Sequence, residues 1–164
     1  MPTDEEGLKE VSTAVRQKVL EPEHIRLLGD LVSEIRAVAR RTGRLKAATR
    51  DLERALGPLT ELAENVDGPI DADVLEKLPE KSVTRLDDRM RKPLDRISAP
   101  RTRAAISDVA PTPPDPAFAC MSQYEACVRR TRSASSRFWC NVSMIVCLVR
   151  TVLPYLTTAE RRTP

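Results

Sequence analysis

The sequence predicts an all-α protein: a helical bundle or heptad-patterned helices, an irregular Pro-rich connector, and a C-terminal antiparallel helical hairpin. Three observations lead to this prediction. Apolar residues recur every three or four positions, which is the period of a helix face. Only five of the 164 residues are aromatic, so the core must consist mainly of Leu, Val, Ile and Ala. Thirteen prolines against five glycines indicate helices separated by stiff connectors.

The N-terminal region, residues 1–63, carries two helical patterns. The first covers residues 4–20 and is limited by Pro22. The second is a heptad pattern, in which apolar residues alternate at spacings of three and four. Its apolar members form the predicted helix interface: Leu28, Leu31, Ile35, Val38, Leu45, Leu52, Leu56 and Leu59.

The heptad pattern fits a globular bundle better than a two-stranded coiled coil. Val32 and Ala39 occupy positions where a coiled coil would place charged residues, so the apolar face is wider than a dimer seam. Gly43 offers a break, and the pattern leaves open whether residues 24–56 form one helix or a hairpin. Gly57, followed by a proline, is predicted to end the element.

The connector, residues 64–115, is predicted to hold short helices around residues 71–78 and 82–97, the second kinked or stopped by Pro93. A linker is predicted from residue 98 onward. It includes four prolines within residues 111–116, which favour an extended tether.

The charge is unevenly distributed along the chain. Residues 1–80 hold twelve basic and seventeen acidic side chains, a net charge of −5, whereas residues 81–106 hold eight and three, a net charge of +5. Such asymmetry is typical of contact with nucleic acid or an anionic surface, although most charged stretches are solvated helix faces. The candidate anion contacts are Arg89, Arg91, Lys92, Arg101, Arg103, Arg129, Arg130, Arg132 and Arg137.

All four cysteines lie in the region 116–164, which is predicted to form two helices, residues 116–130 and residues up to 153, joined by a turn at 131–136. Asp115 and Ser136 are the predicted helix caps. Within each helix the cysteines are seven residues apart, so they share a face but lie about 10.5 Å apart. Zinc ligands are normally two to four residues apart, so no metal site is expected.

An antiparallel hairpin keeps the sum of facing residue numbers constant. The pairs Cys120 with Cys147 and Cys127 with Cys140 both sum to 267, and half of that total falls inside the predicted turn. The geometry therefore permits two nested disulfides. Four buried free thiols are the alternative, and the redox environment decides between them.

The layout of "CMSQYEAC" and "CNVSMIVC" resembles the twin cysteine-motif helical hairpins of the CHCH proteins, in which paired disulfides join two helices. The resemblance covers only residues 120–147. The CHCH proteins have nine residues between the cysteines of a motif, whereas this chain has six, and no membership is assigned. The resemblance implies the same two nested disulfides.

The second hairpin helix is apolar on nearly all sides between Phe138 and Leu153. Asn141, Ser143 and Arg150 interrupt this stretch, which falls short of the ~18 apolar residues of a membrane span, so no transmembrane segment is expected. Packing against the N-terminal helices is favoured, with self-association next.

No enzyme, cofactor or metal is expected. His24 is the only histidine and lies near a helix start, and no Gly-rich phosphate loop occurs. The N-terminus lacks the apolar core of a secretory signal, which predicts a cytoplasmic protein. The predicted function is that of a non-enzymatic interaction or scaffold protein acting through helix-to-helix contacts or self-association. The alternatives are a basic adaptor for nucleic acid or an anionic membrane surface, and a redox-responsive hairpin.

Overall fold

A computed structural model describes residues 4–109 and 116–162, with side chains described for residues 5–106 and 119–154. In these ranges the chain forms eight helices and one small antiparallel ladder, which confirms the all-α class. The elements are α1 (Asp4–Arg16), β1 (Val19–Leu20), α2 (Pro22–Thr42), α3 (Lys46–Asn65), β2 (Ile70–Asp71), α4 (Ala72–Lys77), α5 (Glu80–Ser98), α6 (Pro100–Val109), α7 (Pro116–Arg130) and α8 (Ala134–Arg162).

The heptad region is a helical hairpin and not one long helix. Gly43 follows α2 in the left-handed conformation, with φ 72°, and its N–H donates to the carbonyl of Ala39. Leu45, with φ 56°, then leads into α3, which packs back on α2. Gly43 ends the helix because glycine adopts a positive φ without a Cβ clash.

The core forms around α8, which contacts every other described helix. Phe138, Val142, Ile145 and Val149 on this helix are fully buried. Its apolar surface therefore packs inside the molecule, as the sequence favoured. By length and hydropathy the stretch 134–154 could also cross a membrane, but 61% of its most apolar window is buried by the protein itself.

The predicted helix interface of α2 and α3 lies within this core. Seven of the eight residues are buried, and Leu45 is partly buried against them. Their partners are therefore other helices of the same chain.

Three prolines predicted to stop or kink helices lie inside them instead. Helix α3 continues through Pro58, α5 through Pro93, and α8 through Pro154. The predicted ends at Gly57 and at Pro154 are therefore wrong. The apolar face of the helix continues past the first two prolines. Each proline leaves the carbonyl of the residue four positions earlier without its helical hydrogen bond. That residue is in each case an exposed arginine: Arg54, Arg89 or Arg150.

The connector is more helical than predicted. Residues 100–109 form α6 and not a linker, because Pro100 suits a first helical position and Ile106 is buried in the core. A second unpredicted feature is the ladder, which pairs Val19 with Asp71 and Leu20 with Ile70. The predicted tether at residues 111–116 and the Asp115 cap lie, apart from residue 116, outside the described residues.

Candidate functional site

Two disulfides join α7 to α8. One links Cys120 to Cys147 with 5.7 Å between the Cα atoms, and the other links Cys127 to Cys140 with 5.8 Å. Cys120 and Cys140 are buried, whereas Cys127 and Cys147 are partly exposed. Each disulfide thus has one partly exposed cysteine, which lies beside residues of α1.

A groove lies between α1, α7 and α8. It consists of two cavities of about 570 and 510 Å³, which share Val15, Arg16 and Ser143 as lining residues. Cys127 lines the first cavity and Cys147 the second. We call these two adjoining cavities together the basic groove.

The charge of the basic groove has a single sign. No aspartate or glutamate is among the described residues that line it. None of its cationic side chains forms an ion pair with a described carboxylate, and Arg150 Nη1 donates to the Ser12 hydroxyl at 3.2 Å. The cationic residues are Arg16, Lys18, Arg130, Arg132 and Arg150.

The hairpin turn positions the most basic end of the groove. Helix α7 ends at Arg130, and Arg132 lies in the turn before α8. The cap of α8 is Ser133 and not the predicted Ser136, because Ser133 Oγ accepts the backbone N–H of Ser136 at 3.2 Å. Ser133 also donates to the Ser136 hydroxyl at 2.9 Å, so the two serines fix the start of the helix beside the arginines.

Most of the predicted anion contacts lie elsewhere, and four of them form ion pairs. Arg89 pairs with Glu61 at 2.7 Å, Arg91 with Asp88 at 2.9 Å, Arg103 with Glu125 at 3.1 Å and Arg137 with Asp87 at 2.8 Å. Arg129 donates to the backbone of Glu125, and Lys92 and Arg101 are exposed on other helices. Of the nine predicted residues, only Arg130 and Arg132 line the basic groove.

Three cations of the groove were not predicted from the sequence: Arg16, Lys18 and Arg150. These residues lie in or next to α1 and late in α8, more than 130 positions apart. No local pattern links them, because the groove forms only when α1 packs on α8.

A buried polar network behind the hairpin joins α5, α7 and α8. Asp87 is fully buried and accepts from Arg137 Nε at 2.8 Å and from Asn141 Nδ2 at 2.9 Å. The Tyr124 hydroxyl lies 3.3 Å from Asn141 Oδ1 and 3.5 Å from Asp95 Oδ1, and it can donate a hydrogen bond to either oxygen. The network aligns the hairpin on α5 through directional bonds.

Burial perturbs two members of this network. Desolvation raises the pKa of Tyr124 well above its ordinary value, and the negative charges of Asp95 and Asp87 raise it further. Desolvation also raises the pKa of Asp95, against the opposing effect of Arg91. On the surface, the hydrogen bond from Arg89 lowers the pKa of Glu61.

The single histidine has a structural role, and a cavity next to the basic groove is lined by side chains of both charges. His24 Nδ1 accepts the backbone N–H of Glu21 at 3.1 Å, so this histidine caps the start of α2. Among the described residues no group of three His, Cys, Asp or Glu side chains could hold a metal ion. A neighbouring cavity of about 490 Å³ is lined by Glu76 and Glu80 as well as Arg132 and Arg137, so its charges offset one another.

No protein-family model matches the chain, and neither a curated protein nor a solved structure matches it.

Proposed function

We propose that the chain is a non-enzymatic helical interaction protein that binds an anionic partner through the basic groove. The observation that supports this proposal is the presence of five cationic side chains, and of no aspartate or glutamate, among the described residues that line the groove. Elsewhere on the described surface, arginines such as Arg89 and Arg91 are neutralised by neighbouring carboxylates. An unneutralised cluster attracts ligands of opposite charge.

The groove replaces the heptad face as the proposed contact surface. The apolar seam of α2 and α3 is occupied by the chain's own helices, so it is not available to a partner helix without unfolding. The groove is also better suited to binding than to catalysis. Guanidinium groups keep their charge at physiological pH and recognise carboxylates or phosphates, but they do not exchange protons readily.

Binding to a generic polyanion tests the proposal. We expect the protein to bind immobilised heparin at low salt and to elute as salt rises. The variant R130A/R132A should elute at markedly lower salt, because two groove cations are lost. The matched control is R50A/R85A, which removes two exposed arginines that lie outside the groove and lack described partners. Equal elution of both variants and the unmodified protein would contradict the proposal.

A redox-responsive hairpin is a second candidate function. It is favoured by the partial exposure of Cys127 and Cys147, since thiol–disulfide exchange requires access to a sulfur atom. Loss of each disulfide is expected to remove about 2–4 kcal/mol of stability. We expect heparin affinity to fall when both are reduced, because α7 then holds Arg130 less firmly. Unchanged affinity with four alkylated thiols would contradict this candidate.

The redox state of the four cysteines depends on the cellular compartment of the protein. The predicted cytoplasmic location would favour reduced thiols, whereas the disulfides favour an oxidising environment. Rapid alkylation in intact cells, followed by mass measurement of the isolated protein, distinguishes the two. Four blocked thiols would support a reducing compartment, and none would support an oxidising one.

A further inference from the structure

We propose that the ligand of the basic groove is an extended acidic segment of a partner protein, about seven residues long. This inference rests on the proposed function and specifies the partner's chemistry. It follows from the length of the groove, the distribution of its cations, and the nature of its apolar lining.

The length of the groove sets the length of the ligand. Its α8 wall runs from Ser136 to Thr151, which is about 22 Å at 1.5 Å per helical residue. An extended chain advances about 3.3 Å per residue, so about seven residues span this wall. Ser143, near the middle, offers a hydroxyl that can bond to the backbone of such a segment.

The cations are concentrated at one end. Of the two cavities of the groove, the one at the hairpin turn is lined by Lys18, Arg130 and Arg132, and the far one by Arg150. Arg16 lines both. A complementary segment therefore carries a cluster of carboxylates at one end and a single carboxylate near the other. Arginine can hold each carboxylate through paired N–H donors, which adds geometric specificity to the charge attraction.

The lining argues against other anionic partners. Single-stranded nucleic acid is normally held by exposed aromatic rings on which bases stack. Among the described lining residues Trp139 is the one aromatic, and it is only 6% exposed. Membrane surfaces are normally bound by protruding apolar groups. Here Val15 and Val146 are 5% and 4% exposed and lie in a concavity.

Fluorescence anisotropy with labelled peptides tests the inference. The main probe is an octapeptide with four glutamates at one end, one at the other, and Gly-Ser-Gly between them, prepared in both sequence directions. We expect one direction to bind at low salt and its all-glutamine counterpart not to bind. R130A/R132A should weaken binding roughly tenfold or more, since two charge-assisted contacts are lost, whereas R50A/R85A should not.

A double-mutant cycle tests how the peptide lies in the groove. R150A should weaken the octapeptide several-fold, but it should have no effect when the isolated glutamate is replaced by glutamine. Equal effects of R150A on both peptides would overturn the proposed placement.

Binding measurements with other anionic probes separate this inference from the proposed function. If heparin, a single-stranded oligonucleotide or vesicles containing anionic lipid bind through Arg130 and Arg132 while neither octapeptide does, the acidic-segment inference fails and the groove remains an anion site. If none of these probes binds, the proposed function itself fails.

Discussion

The contrast between Asp87 and Asp88 shows how strongly position determines the role of a residue. The Asp87 side chain is 1% exposed and pairs with Arg137, whereas the Asp88 side chain is 44% exposed and pairs with Arg91 on the same helix. Removing one partner of a buried ion pair leaves an uncompensated charge, but exposed pairs contribute little. The two neighbours therefore offer a matched comparison.

We expect D87A to lower the free energy of unfolding by about 3 kcal/mol, because Arg137 and Asn141 lose their shared acceptor. D88A should lower it by less than about 1 kcal/mol. Urea denaturation monitored by circular dichroism measures both. Similar losses for the two variants would contradict the assigned role of the network.

Tyr124 provides a spectroscopic test of the same network. Its folded-state pKa is raised, so the folded protein keeps a proton that the unfolded chain releases near pH 10. Stability is therefore expected to fall as pH rises above about 10. In Y155F, Tyr124 is the one tyrosine left, and its near-ultraviolet phenolate absorbance should appear well above pH 10 in the folded state and near pH 10 in denaturant. A native transition near pH 10 would refute the burial argument.

The sequence could not distinguish these residue-scale roles. "DD" at 87–88 carries the same chemistry twice, and burial is decided by the way α5 packs on α8. The groove could not be predicted either, because its cations come from α1, α7, the hairpin turn and α8, which only long-range packing brings together. Only the cysteine geometry was accessible, because a hairpin relates its facing residues by a simple numerical rule.

At the scale of elements, helical periodicity predicted most of the helices, and proline misled about where they end. Helix α7 begins at Pro116, as predicted, and α2 begins at Pro22. Pro58 and Pro93 are instead buried within helices, where packing outweighs the cost of a lost backbone hydrogen bond. Local propensity could not predict this, because the compensating contacts come from distant parts of the chain.

Gly29 inside α2 and Gly43 directly after it predict opposite responses to the same substitution. A Cβ at Gly29 or Gly43 would meet nothing within 4 Å, so only the backbone differs. G29A should stabilise the helix interior by about 0.5–1 kcal/mol. G43A should cost about 1–2 kcal/mol, because its φ of 72° is unfavourable for alanine. Thermal unfolding of both variants tests the sign, and stabilisation by G43A would refute the left-handed cap.

At the scale of the whole molecule, the three sequence regions share one core. Buried residues from α1 to α8 form a single cluster, and α8 contacts both the N-terminal helices and the connector helices. The regions 1–63, 64–115 and 116–164 were predicted from composition, which reports local character and not long-range packing. Periodicity indicated that α8 needed partners on several sides but could not name them.

We expect a fragment of residues 1–115 not to unfold cooperatively, because removing α8 uncovers apolar faces on α2 and α5. The full chain should show one transition by calorimetry and by circular dichroism. Adding a peptide of residues 116–164 should restore cooperative unfolding to the fragment. A fragment that unfolds as sharply as the full chain would show that the N-terminal regions are an independent unit.

The central position of α8 also affects how the protein is made. A ribosome delivers the chain from its N-terminus at about 5–20 residues per second, so the helices that surround α8 emerge several seconds before it does. Until then the apolar surfaces that pack on α8 have no partner, and the nascent chain is vulnerable to aggregation and suited to protection by a chaperone. The core is therefore completed only when α8 has been synthesised. The cysteines of α8 meet their partners in α7 only at this stage.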